Sequence, residues 1–75
     1  MTEIQRQPVS SSDIASIGYD GATETLEIEF KATGIYRYFS VPKNVWEELS
    51  RTPSPGKLFL QHIKGKYAWE KIGRD

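Results

Sequence analysis

Basic and aromatic residues alternate in the last third of this 75-residue sequence, and that combination suits contacts with nucleic acid. Lysine ammonium groups neutralise phosphates, and exposed aromatic rings stack on bases at about 1–3 kcal/mol per base. Lys57 and Lys64 are seven residues apart, so on a helix they share one face. We favour Lys64 and Lys66 for phosphate contact and Trp69 for stacking. The full candidate set is Lys57, Lys64, Lys66, Tyr67, Trp69, Lys71 and Arg74.

The aromatic residues also have a second interpretation, as core residues. A domain this small buries a modest share of its surface and needs large side chains for its core. Tyr67 and Trp69 would then close the core while the lysines are solvated. The same choice applies to Tyr36 and Tyr38 earlier in the chain, which could form a stacking surface on a sheet. For these two tyrosines we favour the core.

The turn Ser54-Pro55-Gly56-Lys57 is a candidate anion site. A helix N-terminus presents free N–H groups and the positive end of the helix dipole, both of which favour a phosphate. Gly56 would allow close approach of the backbone, and Lys57 would add charge. The turn lacks the GxxxxGK[ST] pattern of a P-loop. The alternative is an ordinary helix start, with Ser54 as N-cap and Pro55 as the first helical residue.

The sequence favours a protein without catalytic residues, metal or cofactor. His62 is the single histidine and there is no cysteine, so a metal site would need several carboxylates around one imidazole. A nucleophilic triad would need the same histidine beside a serine and an acid. Glu27 and Glu29 are two apart on a predicted strand and share a face. We expect that face to lie in water.

Charge is distributed unevenly along the chain, although the formal net charge is zero. Residues 51–74 contain six basic residues and one acidic residue, a surplus of five; residues 20–48 contain six acidic and three basic residues. No apolar run approaches the roughly 20 residues of a membrane-spanning helix, and the N-terminus lacks the apolar stretch of a signal peptide. We expect no membrane contact, and the lack of cysteine favours the cytoplasm.

Hydrophobic periodicity predicts strands first and helices afterwards. The alternation of residues 25–30 has the period of two that is typical of a half-buried strand. Further strands are predicted over residues 14–19, with Ala15, Ile17 and Tyr19 on one face, and over residues 35–39. A first helix starts at Pro42 and ends before Pro53, and a second runs from Ser54 to a C-cap at Gly65.

The predicted fold class is therefore α+β. We expect a three-stranded antiparallel β-meander followed by two α-helices, with residues 67–72 as either a short C-terminal strand or an extended arm. Residues 1–8 are predicted to be a disordered tail, residues 9–72 a single domain and residues 73–75 a second tail. We expect a monomer.

An ordered set of short segments spans about residues 8–72: Val9-Ser10-Ser11-Ser12, Ile17-Gly18-Tyr19-Asp20, Leu26-Glu27-Ile28-Glu29-Phe30, Tyr36-Arg37-Tyr38, Val41-Pro42, Ser54-Pro55-Gly56, Phe59, Ile63-Lys64 and Tyr67. In this order and spacing they resemble the KTSC domain family, named for its occurrence at the C-terminus of some lysyl-tRNA synthetases. The resemblance implies a compact module, alone or appended to other proteins, with a role in RNA or DNA transactions and no catalytic residue. Leu60 and Gln61 depart from the family pattern, which has another aromatic residue and an asparagine there. We interpret both as tolerated packing changes.

Two functional hypotheses follow. The first is a binding module for RNA or DNA that acts through the basic C-terminal half. The second is a protein-interaction or structural module that pairs through an edge strand or an aromatic patch, including as a homodimer, because an open sheet edge can accept another strand.

Overall fold

Strand β3, Thr25–Phe30, is the centre of the fold, and its alternating sequence explains why. Leu26 and Ile28 are fully buried on one face, which the two helices cover. The computed structural model describes residues 4–73, and in it β3 is the middle strand of a five-stranded sheet with the order β1-β2-β3-β4-β5. All neighbouring pairs are antiparallel, and the other strands are β1 Arg6–Pro8, β2 Ile14–Asp20, β4 Gly34–Tyr38 and β5 Trp69–Gly73.

The prediction of a three-stranded meander is wrong, because one more strand is added at each edge. Strand β1 lies within residues 1–8, where a tail was expected; it is three residues long, contains a proline and shows no alternation. An edge strand tolerates proline because its outer side donates no ladder hydrogen bond. Strand β5 continues through Gly73 and follows the helices in sequence, pairing with β4. Of the other predicted tail residues, Ile4 is buried, and residues 1–3 and 74–75 lie outside the described residues.

Strand β2 also differs from its predicted pattern. A bulge interrupts its register with β3 between Ile14 and Ser16. An extra residue in one strand shifts which side chains face inwards. As a result Ile14 and Ile17 are both fully buried, while Ala15, which was predicted to share the face of Ile17, is only half-buried.

The two helices lie between β4 and β5 in sequence. Helix α1 spans Lys43–Arg51 with Pro42 at its N-cap, and helix α2 spans Pro55–His62 with Ser54 at its N-cap. Both starts agree with the sequence prediction. After α2, Gly65 has φ +77°, a conformation that glycine adopts without strain, and the Lys66 N–H donates to the Ile63 carbonyl over 3.0 Å. Within residues 4–73, neither helix is long and apolar enough to span a membrane.

The core lies between the helices and one face of the sheet. The Tyr19 ring stacks on the Trp46 ring of α1, with centroids 5.6 Å apart, and the Tyr19 hydroxyl donates to the Val41 carbonyl over 2.6 Å. These contacts join β2 to the start of α1. The buried cluster consists of Ile14, Ile17, Leu26, Ile28, Tyr38, Val41, Leu49, Phe59 and Ile63.

Candidate nucleic-acid interface

A groove of about 320 Å³ opens between β4, β5 and the C-terminal end of α2. It lies on the helix-covered side of the sheet, because Phe59 of α2 lines it together with Tyr36 and Tyr38 of β4. Tyr36 and Tyr38 pair with Lys71 and Trp69 of β5. Residues directly opposite in an antiparallel pair point to the same face. We call it the aromatic groove, and its lining is Phe30, Thr33, Tyr36, Tyr38, Phe59, Lys64, Gly65 and Trp69.

Ring contacts run through the aromatic groove from the core to the surface. Phe59 contacts Tyr38 and Phe30 at centroid distances of 5.4 and 5.0 Å. Phe30 contacts Tyr36 at 5.6 Å, and Tyr36 contacts Trp69 at 5.5 Å. The inner end of this series is buried, whereas the outer end, Trp69, is 56% exposed. The groove therefore offers aromatic surface to a ligand without rearrangement of the core.

Burial of the Tyr38 ring at the inner end, together with the neighbouring Tyr36, raises the pKa of Tyr38 to about 12. The Tyr38 hydroxyl is therefore protonated at neutral pH. It adds no negative charge to the floor of the groove.

Lysines border the aromatic groove on two sides. The Lys71 Nζ lies 6.0 Å from the centroid of the Tyr36 ring, on the β5 side. Lys64 lines the groove from the end of α2, and Lys66 is exposed in the turn that follows. Cations at these positions would meet a ligand that lay in the groove.

Lys57 lies apart from this group. It is exposed in the first turn of α2, whereas Lys64 lies in the turn after the helix ends at His62, so the two do not share a helix face. It borders two other depressions, near Thr52 and near Ser10. Lys57 and Lys64 do not line one groove.

The two aromatic candidates of the C-terminal segment have different environments. Tyr67 is half-buried and packs against the core cluster, as the core interpretation predicts. Trp69, two residues later, is largely exposed. Arg74 lies outside the described residues.

A second cavity, of about 310 Å³, continues the aromatic groove along α2. The two share Phe30, Thr33, Phe59 and Lys64. The continuation passes the exposed side chain of Leu60 and reaches Gly56. A bound chain could therefore extend from Trp69 towards the start of α2.

The start of α2 already has an acidic neighbour. A Cβ at Gly56 would lie 3.6 Å from Oδ2 of Asp13 and 3.6 Å from Oγ of Ser11. The space next to Gly56 is thus occupied by the carboxylate of Asp13. A carboxylate is favourable near a helix N-terminus. Ser54 is exposed, and its carbonyl accepts the Leu58 N–H over 3.1 Å. A phosphate at this position would face the charge of Asp13.

The opposite face of the sheet corrects the expectation for Glu27 and Glu29. Glu27 is 3% exposed, not solvated, and it pairs with Arg6 of β1 and Arg37 of β4. Glu29 is half-buried and accepts a hydrogen bond from the Ser16 hydroxyl over 3.0 Å. Opposite charges from β1, β3 and β4 thus meet on this face.

No group of three or more His, Cys, Asp and Glu side chains that could hold a metal occurs within residues 4–73. His62 is exposed at the end of α2, in a shallow depression whose lining includes Thr52, Ser54 and Lys57.

Sequence reasoning missed Phe30 and Phe59 as residues of the groove, and it considered Tyr36 as a stacking residue but favoured the core. Tyr36 was predicted to be a core residue, and it is half-buried with its ring against Trp69. The available signal was the pair Trp69 and Lys71, whose spacing of two places both on one face of a strand. That signal becomes informative only once residues 69–73 are known to pair with β4.

Comparisons with known proteins agree on one family. The KTSC domain model matches residues 10–67. The crystal structure of a KTSC domain protein from Yersinia pestis superimposes with a TM-score of 0.92 at 46% identity, over 95% of this chain and 100% of that one. An uncharacterised protein of Stutzerimonas stutzeri is 36% identical over 64 residues, which cover 85% of this chain and 90% of that protein.

Other relatives are much longer enzymes. The lysine–tRNA ligases of Trichormus variabilis and Nostoc punctiforme are each 43% identical to this chain over 61 residues. The match covers 81% of this chain and 11% of each ligase. The similarity is therefore to a small segment of those enzymes.

Proposed function

This chain belongs to the KTSC domain family, and we propose that it is a non-catalytic cytoplasmic module that binds RNA or DNA through the aromatic groove and its lysines. The observation that carries the proposal is the position of Trp69. This large side chain is 56% exposed, contacts Tyr36 and lines the groove together with Lys64, while Lys71 lies against the same Tyr36 ring. Exposed aromatic rings beside cations are the usual elements of sequence-tolerant nucleic-acid binding.

The zero net charge is compatible with this proposal because binding depends on local charge. Lys64 lines the groove, Lys71 lies against its Tyr36 ring and Lys66 is exposed in the turn that follows Lys64. Two of the arginines are instead paired with Glu27 on the opposite face. Three phosphate contacts to a single strand predict a slope of about −2 for log K against log salt, at about −0.7 per phosphate. The proposal therefore predicts weak binding that falls as salt rises.

The lysine–tRNA ligases among the relatives also support the proposal of nucleic-acid binding. Their name identifies tRNA as a substrate of those enzymes, and each carries a segment similar to this chain. An appended module that holds nucleic acid would raise the local concentration of such a substrate.

An NMR titration with short RNA and DNA at low salt tests the proposal. We expect shifts concentrated on the lining of the aromatic groove and on residues 64–71, and their loss at high salt. The double variant Lys64→Gln with Lys66→Gln should bind about tenfold more weakly, because it loses two phosphate contacts. The matched control is Lys43→Gln with Arg51→Gln, which removes the same charge from α1 and should bind nearly as the parent does.

Two results would contradict the proposal. One is the absence of oligonucleotide-induced shifts at low salt, which would favour a protein partner instead. The other is an equal loss of affinity in both double variants, which would assign binding to overall charge and not to this surface.

A further inference from the structure

We propose that the aromatic groove holds one unstacked base of a single-stranded nucleic acid, with Lys64 and Lys71 on the flanking phosphates. This inference rests on the proposed function and specifies its ligand. Duplex nucleic acid would then be a poor ligand, because its bases are stacked and paired and leave the stack only at a cost of a few kcal/mol.

The shape of the groove suits a flat ring. Its volume of about 320 Å³ lies at the lower end of the range of roughly 300–1,000 Å³ for small-ligand sites. The Tyr36 and Trp69 rings are tilted 54° to each other, so they form two sides of a wedge and do not close over one another. A base could contact either ring without displacing the buried Phe59 below.

The polar groups of the groove indicate low sequence selectivity. Five of its eight lining residues are aromatic, and the rest are Thr33, Lys64 and Gly65. Base identity is read by hydrogen bonds to base edges, and here few side chains could form them. Stacking is tolerant of sequence because every base has an aromatic face. We therefore infer a site that distinguishes single strands from duplexes better than one base from another.

The charge at the rim favours a nucleotide over an apolar peptide side chain. Lys71 lies against the Tyr36 ring on one side, and Lys64 lines the groove on the other. A strand that inserts one base would carry its two adjoining phosphates past these two lysines. An apolar side chain of a protein would gain nothing from either cation.

The test compares three fluorescently labelled ligands with equal numbers of phosphates at low salt. They are a thymidine oligonucleotide, the same backbone with abasic residues and a hairpin duplex. Fluorescence anisotropy with the unmodified protein should give at least tenfold tighter binding to the thymidine strand than to either of the other two. The comparison needs no variant, so it does not depend on whether a mutant folds.

Two variants assign the effect to the groove. Trp69→Leu should weaken binding of the thymidine strand about tenfold and leave the abasic strand unchanged. Trp69→Phe should retain most of the affinity because it keeps a ring. Ile72→Ala is the matched control, since Ile72 is 39% exposed on β5 yet lines neither the aromatic groove nor its continuation along α2.

The outcomes separate this inference from the proposed function. Equal, salt-dependent binding of all three ligands would overturn the base-insertion site and leave nucleic-acid binding standing. Equal weakening of all three by Trp69→Leu would overturn it as well. Absence of binding to any of them at low salt would overturn both.

Discussion

Arg37 donates a hydrogen bond from Nε to Oε1 of Glu27 over 2.8 Å, on the sheet face away from the helices. Glu27 also pairs with Arg6, so one buried carboxylate connects β1, β3 and β4. The Arg6 Nε donates in addition to the Ser16 hydroxyl over 3.0 Å. This cluster closes the second face of the sheet with charge, where a thicker domain would use a second apolar layer.

The first prediction concerns the carboxylate itself. Glu27→Ala removes the shared partner of two arginines, and we expect a loss of about 3 kcal/mol in the free energy of unfolding, at the lower end for a broken buried pair. The low end applies because the arginine side chains are still 20% and 27% exposed and can bind water. Urea unfolding measures the loss. Glu48→Ala, at an exposed position of α1, is the control and should change stability by less than about 0.5 kcal/mol.

The second prediction concerns the close approach of β1 to β2. A Cβ at Gly18 would lie 2.4 Å from the Gln5 carbonyl oxygen and 2.9 Å from Cγ2 of Ile4. Because the nearer contact is with backbone, Gly18→Ala should push the N-terminal segment away and cost about 1–3 kcal/mol. Hydrogen exchange of the backbone amides of residues 5–7 should accelerate. Gly21→Ala has 3.8 Å of space and should leave that exchange unchanged; equal effects of the two would contradict the prediction.

The Glu27 cluster and the close contact at Gly18 also show which features of the fold the sequence could predict. Strand β3 and the starts of both helices were predicted correctly because alternation and proline act within a few residues. Strand β1 was missed because its stability depends on Gly18, ten or more residues away. The burial of Glu27 was missed for the same reason, since its partners are 10 and 21 residues distant.

The candidate site shows the same limit. The lysines and Trp69 could be chosen as candidates from residue type alone. Residue type equally supported the opposing interpretation, that the aromatic residues are core. Tyr67 and Trp69 have different environments because β5 begins at Trp69, whereas Tyr67 precedes the strand. That boundary depends on pairing with β4, which lies more than 30 residues earlier.

The third prediction is a loss of stability at alkaline pH. An unfolded tyrosine titrates near pH 10, whereas burial and Tyr36 raise the pKa of Tyr38 to about 12 in the fold. Between these two pKa values the folded protein keeps a proton that the unfolded chain releases. The free energy of unfolding therefore falls as pH rises. We expect the titration of Tyr38 to lower the free energy of unfolding by about 1 kcal/mol between pH 9 and pH 11. Tyr38→Phe should lose that part of the pH dependence in urea unfolding, and an unchanged pH profile would contradict the assignment.

The fourth prediction concerns the outer edge of β5. If two copies paired antiparallel along all five residues of Trp69–Gly73, Lys71 would stand opposite its own copy. The register centred one residue earlier would place Glu70 opposite Glu70. Like charges directly opposite are unfavourable by up to about 1 kcal/mol per pair, and charged edge residues are a common protection against such pairing.

We therefore expect the protein to be a monomer at high concentration, and Lys71→Val to strengthen self-association roughly fivefold as the repulsion of up to about 1 kcal/mol is removed. Analytical ultracentrifugation over a concentration series measures this. Lys66→Val makes the same change in charge in the turn after α2, outside the strand, and should stay a monomer. A parent protein that already dimerises, or equal association of both variants, would show that these charges do not protect the edge.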